Sequence, residues 1–441
     1  LIIKLSNIMI NRVFTLNQKF FIRFPFIITC IILPFISLYI LNYAGNFESS
    51  ILGLNFSLSR VEKQFLWIIL GFLTFLIIQF LRIRFLNEKI YSLYIITVIM
   101  LLLPFLSDAV KGSQNWFFGF QPSEFGKIII VIAFSKFLSD NKKNINNPIT
   151  VLISSIIILI PALIFLYQKD IGTSLVYFSI FIPMLYWAGL KPAYCFLIFS
   201  PVGAGYVKMS FLVHESYNMN ITASIITLSI WIILNFIFLS KIYKQKFNVV
   251  IIIFSIIIIN IITSVASDIS WNYLESKESK TFSYVKKRIE NFIVPSLNPQ
   301  DGGYQVAQSK IAVGSGGMFG NGVSESTQVE LDYLPEADTD FIVASIGEAL
   351  GFITIFLIIL VYMNLFYWQL DYAYRSRNIF NSLIIIGFSS MLFFNCIISL
   401  GMVVAIAPVT GLPAPLLSYG GTFTLSTFIM FGLCNNISNN N

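Results

Sequence analysis

The residues most suited to chemistry lie in one polar stretch, 302–342, which reads GGYQVAQSKIAVGSGGMFGNGVSESTQVELDYLPEADTDFI. The flanking sequence is mostly apolar. Asp340 comes immediately before an apolar run, so we expect it where the chain passes from water into an apolar environment. A carboxylate at such a boundary is partly desolvated, which favours its acting as a proton acceptor. A second role, as N-cap of the following helix, is compatible with the first. Seven carboxylates lie in this stretch or directly before it: Asp301, Glu325, Glu330, Asp332, Glu336, Asp338 and Asp340.

Further charged residues lie within the apolar sequence upstream. Glu124 and Lys127 in QPSEFGK are three residues apart and share one face of a predicted helix, which predicts an ion pair, either purely structural or lining a polar cavity. Asp170 in QKDIGT begins another apolar run and has the same two interpretations. Lys111 in KGSQNW precedes Trp116, and anchoring at a membrane interface is the simpler role for that pair.

Lys310 lies just before a glycine cluster, Gly314-Ser315-Gly316-Gly317. Backbone N–H groups of such a turn can bind phosphate, but the spacing is not that of a Walker loop, and a helix that ends at glycine is the stronger interpretation. A single histidine, His214, excludes histidine-based triads and zinc clusters. The four cysteines lack CxxC spacing and indicate small core residues.

Composition defines the elements that must position these residues. Only 11% of the chain is charged, whereas soluble domains carry roughly a quarter, so we predict an all-α polytopic membrane protein. A membrane-spanning helix needs about 20 apolar residues. Twelve segments qualify: Phe24–Ala44, Phe65–Leu81, Ile90–Leu106, Pro122–Leu138, Ile149–Tyr167, Ile171–Leu190, Pro192–Phe211, Ile221–Leu239, Val249–Val265, Phe341–Leu365, Ile379–Leu400 and Thr422–Cys434.

Basic residues predict the orientation. Lys and Arg concentrate in the segments before the first span and in alternate short loops, for example KIYKQK at 241–246, so both termini are expected to be cytoplasmic. We therefore predict one integral-membrane domain, 24–434, with a large extracytoplasmic loop at 266–340. The net charge of +7 follows topology and does not indicate a nucleic-acid partner. The segment PVTGLPAPLLSYGG, 408–421, predicts a re-entrant turn beside the polar site, because non-helical backbone survives at membrane depth only where protein buries it.

Six motifs, taken in order, resemble those of the SEDS family of RodA and FtsW, polytopic polymerases of bacterial peptidoglycan. They are KGSQNW, QPSEFGK, QKDIGT, GGYQVAQSKIAVGSGGMFGNG, YLPEADTDFI and PAPLLSYGG, and they span Lys111 to Gly421. GMVVAIAPVTGLP is closer to RodA, whereas YLPEA is closer to FtsW. The resemblance implies that Asp340 is the essential carboxylate and that Arg288, Lys310 and Lys111 are candidates to bind pyrophosphate. It places Glu124 and Lys127 on the family's ion pair, and Asp170 on the acidic residue of its QPDLGT motif.

The chain departs from the family at several positions. Asn115 replaces an arginine, Lys169 replaces a proline, and Asp338 replaces a common histidine, which puts two carboxylates two residues apart. Two additional apolar segments, Ile221–Leu239 and Val249–Val265, precede the large loop. They add to the ten spans of the family, and an even insertion keeps the loop on the same side of the membrane.

The resemblance implies a reaction in a bacterial cytoplasmic (inner) membrane: transfer of a glycan from undecaprenyl pyrophosphate to lipid II, forming a β-1,4 bond with inversion during cell elongation. Expected partners are lipid II, the lipid-linked glycan, a class B penicillin-binding protein and the elongation or division machinery. It identifies no cofactor and leaves a divalent cation open. The alternatives are a septal polymerase of the FtsW type, a flippase for lipid-linked precursors, which needs a charged path through the midplane, and a non-catalytic scaffold for a transpeptidase.

Overall fold

The computed structural model describes residues 21–44, 59–107, 114–117, 120–243, 249–276, 286–287, 289–290, 293–294, 302–331 and 333–440. Within these ranges the chain is helical, and the extended pairing is a single bridge between Phe117 and Phe120. The helices are α1 (Phe24–Ala44), α2 (Arg60–Ile78), α3 (Ile83–Met100), α4 (Pro122–Asp140), α5 (Pro148–Tyr167), α6 (Ile171–Ala188), α7 (Pro192–Ser216), α8 (Thr222–Tyr243), α9 (Val249–Ser276), α10 (Gly302–Ser315), α11 (Thr327–Glu330), α12 (Ile342–Arg375), α13 (Ile379–Val403) and α14 (Gly421–Asn439).

Every predicted span overlaps one of these helices, namely α1–α9 and α12–α14, although several ends differ, as for Ile90–Leu106 against α3. The protein is therefore an all-α, multi-pass membrane protein, as predicted. Nine helices in the described part are long and apolar enough to cross a membrane, and α4, α8 and α14 are not among them. The total of twelve spans stays a prediction.

Two of these exceptions, α4 and α14, carry polar side chains that are packed against other helices. Most of their side chains are buried. Along the contact between α14 and α2, Gln64 donates to the Thr424 hydroxyl at 3.2 Å, and Asn435 donates to the Gln79 side chain at 2.7 Å. Hydrogen bonds of this kind offset the cost of removing polar groups from water. A criterion based on hydropathy alone therefore omits such helices from the candidate spans.

The chain divides into two compact units, Leu1–Ala188 with Ala307–Asn441, and Gly189–Val306. The second unit contains α7, α8 and α9. Lys208 on α7 forms an ion pair with Asp268 on α9 at 2.9 Å, and the Trp271 indole donates to the Ser216 hydroxyl at 3.0 Å. Because these polar side chains are accommodated, α9 continues to Ser276, so the first eleven residues of the predicted loop 266–340 are helical.

In the first unit, α12 is broken at Gly351, where φ is 77° and ψ is 179°. A break leaves N–H and C=O groups without helical partners. The turn 316–322, which begins with the last two glycines of the cluster, supplies those partners. Four backbone hydrogen bonds join turn and break: Asn321 to Glu348 (3.0 Å), Gly322 to Ala349 (3.1 Å), Phe352 to Gly317 (2.9 Å) and Ile353 to Met318 (3.2 Å).

Glycine is required where the turn meets the break. A Cβ on Gly316 would lie 2.0 Å from the carbonyl oxygen of Gly347, and one on Gly351 would lie 2.3 Å from the backbone nitrogen of Gly320. Since α10 ends at Ser315, the interpretation of this cluster as a helix end is confirmed. The break in α12 was not predicted.

Candidate functional site

The segment 404–420, which connects α13 to α14, is irregular, and most of its residues from Thr410 to Ser418 are buried. Leu412, Leu416 and Leu417 are at most 2% exposed. The Tyr362 hydroxyl donates to the Pro415 carbonyl at 2.6 Å, and the Ser37 hydroxyl donates to the Leu417 carbonyl at 2.6 Å. Non-helical backbone that is buried and hydrogen-bonded in this way agrees with the predicted turn beside the polar site.

Asp340 lies against this buried segment. Its side chain is partly buried, and its Oδ2 is 3.3 Å from the position that a Cβ on Gly411 would occupy. Gly411 has φ 71°, a conformation that favours glycine. The absence of a side chain at position 411 therefore leaves the carboxylate its space.

The same segment also reaches the start of α6. A Cβ on Gly172 would lie 2.4 Å from the carbonyl oxygen of Thr410. Gly172 is two residues after Asp170, and Thr410 is next to Gly411. The QKDIGT motif and Asp340 thus approach two adjacent residues of the same segment, Thr410 and Gly411.

Asp170 is held by a full set of hydrogen bonds. Its Oδ1 accepts from the Thr173 N–H at 2.9 Å, and its Oδ2 accepts from the Thr173 hydroxyl and the Asn115 amide, both at 2.8 Å. The Gln114 N–H donates to the Gln168 carbonyl at 3.0 Å. Asp170 therefore accepts hydrogen bonds from the first turn of α6 and from Asn115, and so joins α6 to the described part of KGSQNW. Asn115, which departs from the family pattern, contributes directly to this contact.

Asp338, two residues before Asp340, is held by contacts within the protein. It is 4% exposed and forms an ion pair with Arg60, whose guanidinium also lies over the Tyr419 ring at 5.9 Å. The Tyr419 N–H donates to the Asp338 carbonyl at 2.9 Å. Sequence reasoning missed Arg60, which is 278 residues from its partner. Its only signal was a basic residue at the predicted outer end of a span, against the usual charge bias.

The turn before α12 differs from a simple helix cap. The N-cap position is Phe341, and no side-chain capping bond is made there. The Thr339 hydroxyl donates to the Glu336 carboxylate at 2.9 Å, and the Thr339 carbonyl accepts from the Ser418 hydroxyl at 2.6 Å. The expectation that Asp340 caps the helix is therefore wrong. The turn is held by segment 404–420, and Asp340 stands one residue before the cap.

The predicted pair of Glu124 and Lys127 is present and buried. Their side chains are 4% and 3% exposed, and Lys127 Nζ lies 2.6 Å from Glu124 Oε1. The Ser426 hydroxyl donates to Glu124 Oε2 at 3.3 Å, and Lys127 Nζ lies 5.9 Å from the centre of the Phe423 ring. The pair thus joins α4 to the first turns of α14, directly after the segment that contacts Asp338 and Thr339.

The predicted pyrophosphate-binding cations are less completely defined. Lys310 is on α10 with an exposed side chain, and its neighbour Ser309 donates to the Val403 carbonyl at 2.9 Å, which ties α10 to the end of α13. Arg288 and Lys111 lie outside the described residues. Among the residues that the structure describes, no group of three His, Cys, Asp or Glu side chains has the geometry for a metal ion.

The arrangement supports one chemical role for Asp340. A partly buried carboxylate beside a glycine, on a turn held at several points, has the chemistry of a proton acceptor. Asp170, Asp338 and Glu124 accept hydrogen bonds or pair with cations within the protein. The described fold and site thus define a multi-pass membrane protein with a partly buried carboxylate beside a glycine of segment 404–420.

Comparisons with known proteins identify the family. Residues 22–226 and 220–441 match the family model for FtsW, RodA and SpoVE, described as "Cell cycle protein". The chain therefore belongs to the FtsW/RodA/SpoVE family.

Individual relatives agree with that assignment. Stage V sporulation protein E of Bacillus subtilis is 28% identical over 346 residues, which are 77% of this chain and 75% of the relative. Peptidoglycan glycosyltransferase MrdB of Escherichia coli K12 is 28% identical over 351 residues, 77% of this chain and 75% of the relative. A chain from a structure titled "Structural coordination of polymerization and crosslinking by a peptidoglycan synthase complex" has a TM-score of 0.65 at 18% identity, covering 96% of this chain and 99% of that chain, so it has the same fold.

Proposed function

We propose that the protein is a peptidoglycan glycosyltransferase that polymerises lipid II into glycan strands. The observation that carries the proposal is the placement of Asp340, partly buried and beside Gly411, in a protein of the FtsW/RodA/SpoVE family. Relatives named as peptidoglycan glycosyltransferases support the substrate class.

In this mechanism, the Asp340 carboxylate accepts the proton of the acceptor sugar hydroxyl on lipid II. The hydroxyl oxygen forms a bond to the anomeric carbon of the growing glycan, while the bond from that carbon to the pyrophosphate oxygen breaks. Attack opposite the leaving group inverts the anomeric centre and gives a β-1,4 linkage. The departing pyrophosphate carries negative charge, so cations near it lower the barrier. Lys310, Arg288 and Lys111 are our candidates for that role.

The remaining site residues position Asp340. Arg60 with Asp338 holds the turn that precedes α12, and Ser418 holds the same turn from the other side. Asp170 holds the start of α6, where Gly172 lies close to the Thr410 carbonyl. These contacts keep the carboxylate in one orientation before substrate arrives, which is how a rigid site avoids reorganisation during the reaction.

The membrane topology and the partners follow from the same proposal. We place the protein in the bacterial cytoplasmic membrane with both termini in the cytoplasm and Asp340 on the outer side. A class B penicillin-binding protein is the proposed partner, because the fold matches a chain from a complex titled for coordinated polymerisation and crosslinking. We assign the elongation role of RodA, with the septal role of FtsW as the alternative.

The test uses the purified full-length protein with fluorescent lipid II and separation of the glycan products by length. Asp340→Asn keeps the shape of the side chain and removes its basicity, so polymerisation should fall roughly 10²–10⁴-fold. Asp140→Asn is the matched control, since this residue ends α4, its side chain is 44% exposed, and its recorded partners are Lys136 and Tyr91 rather than residues of the site. Polymerisation by Asp340→Asn at the rate of the unmodified protein, with equal protein recovered, would show that the carboxylate has no catalytic role.

A scaffold without enzymatic activity predicts a different result. The unmodified protein would then fail to extend lipid II even with a transpeptidase present, and Asp340→Asn would support growth as well as the original sequence.

A further inference from the structure

A basic cavity lies at the end of the bundle opposite to Asp340 along α12, where α1 begins and where α12 and α14 end. Its volume is 480 Å³. Its charged lining consists of Arg23, Arg375, Arg377 and Asp371, and aromatic side chains, including Trp368 and Tyr372, complete the wall. Three cations against one carboxylate give the lining a net positive charge.

Arg23 is held rigidly in this wall. Its Nε donates to Asn439 Oδ1 at 3.1 Å, and its Nη2 donates to the Ser438 carbonyl at 3.1 Å. The guanidinium also lies 5.6 Å from the centre of the Tyr372 ring. A guanidinium has five N–H donors, so these two bonds leave donors for a ligand. The side chain does not have to be ordered when a ligand binds.

The other two arginines differ in whether an acidic partner is recorded for them. Arg375 Nε donates to Asp371 Oδ1 at 2.8 Å. Arg377 is exposed, and no ion pair is recorded for it among the described residues. The single carboxylate is thus matched by Arg375, and the charges of Arg23 and Arg377 are not balanced by an acidic residue in the lining.

Asp371 contributes one further feature. Its Oδ2 is buried and accepts no hydrogen bond in the described part of the chain. A buried acceptor without a donor destabilises the protein, and a ligand that donates to it removes that cost. A ligand that fits this cavity therefore carries an anionic group for the arginines and a hydroxyl donor for Asp371.

We propose that this cavity binds the headgroup of an anionic phospholipid with a free hydroxyl, of the phosphatidylglycerol class. The phosphate lies between Arg23 and Arg377, and a glycerol hydroxyl donates to Asp371 Oδ2. Trp368 and Tyr372 suit this position, because such side chains favour the boundary between headgroups and hydrocarbon. Basic sites between helices on the cytoplasmic side attract anionic lipid headgroups.

The protein's own N-terminal segment is a poorer occupant. Residues 1–20 contain Lys4, Arg12 and Lys19 and no carboxylate. This segment supplies no negative charge to match Arg23 and Arg377, whereas a phospholipid supplies it in a phosphate. A zwitterionic phospholipid is a poorer match for the same reason, since it brings no net charge.

The test is native mass spectrometry of the full-length protein in detergent, titrated with phosphatidylglycerol or phosphatidylethanolamine of the same chain length. We expect phosphatidylglycerol to bind at least about tenfold more tightly, because two unbalanced arginines each add about fivefold for an anionic headgroup. Arg377→Gln should weaken phosphatidylglycerol binding about fivefold. Arg82→Gln is the matched control, an exposed arginine that does not line the cavity, and it should leave binding unchanged.

Three results would overturn the proposal. One is equal affinity for the two phospholipids, and another is an equal effect of Arg377→Gln and Arg82→Gln. The third is competition by soluble glycerol phosphate at concentrations comparable with the lipid. That outcome would assign the cavity to a small phosphorylated solute instead.

Discussion

The buried pair between Glu124 and Lys127 allows a sharp test of how the site is supported. Lys127→Met removes the ammonium that lies 2.6 Å from a carboxylate that is itself 4% exposed. The carboxylate then stays buried without its counter-charge, which costs about 3–5 kcal/mol. The Ser426 hydroxyl, at 3.3 Å from Oε2, is a neutral donor and does not replace the lost charge.

The size of the effect in a melting experiment follows from the length of the chain. Globular proteins gain about 2.1 cal/mol/K of entropy per residue on unfolding, so a chain of 441 residues gains ~0.9 kcal/mol/K by the same scaling. A loss of about 3–5 kcal/mol therefore lowers Tm by roughly 3–5 °C. The double variant Glu124→Gln with Lys127→Met has no buried charge and should recover most of this loss.

The assay is thermal unfolding of the purified protein in detergent, followed by the fraction that remains monodisperse, together with lipid II polymerisation by each variant. The four proteins of the cycle give the coupling free energy between the two side chains. If the single and double variants melt together at the temperature of the unmodified protein, the pair is exposed to water and the reasoning is refuted. A double variant that is less stable than Lys127→Met would equally contradict the assigned role of the uncompensated carboxylate.

Three other outcomes are expected. Arg60→Met should reduce polymerisation by loosening the turn before α12, and combining it with Asp338→Asn should restore part of the loss; no restoration would mean that the ion pair does not position the turn. Gly351→Val should lower the recovery of folded protein, because a Cβ there meets the backbone of the turn 316–322 at 2.3 Å, and normal recovery would contradict the tight contact. With the native cysteines replaced, an impermeant thiol reagent applied to intact cells should label Ser324→Cys and not Ser240→Cys, and the reverse pattern would invert the proposed topology.

Much of the helical framework was predictable from local sequence. The first span, Phe24–Ala44, was placed correctly at both ends because an apolar run defines it without interruption. The end of α9 was not, since Asp268 and Trp271 interrupt the apolar run but are satisfied by partners on α7. Hydropathy cannot include such partners, because they are close only after the helices pack.

The sequence allowed several residues of the candidate site to be predicted, but few of the contacts between them. The spacing of Glu124 and Lys127 on one helix was enough to predict their pair, because both ends of the interaction are local. The pair of Arg60 with Asp338 joins residues 278 positions apart, and no local pattern reports on such a contact. The turn predicted at 408–421 was recognised from its prolines and glycines, but the hydrogen bond from Ser418 to Thr339 was not predicted.

The break in α12 also bears on how the chain is made. Ribosomes synthesise the turn 316–322 before the helix that it completes, so the turn has already emerged when α12 reaches the membrane. A helix that entered lipid with this break unfilled would carry unpaired N–H and C=O groups, each costing several kcal/mol. Deleting the turn would therefore not merely shorten a loop. It would leave α12 with a defect at Gly351, because the four hydrogen bonds that complete the break come from the turn itself.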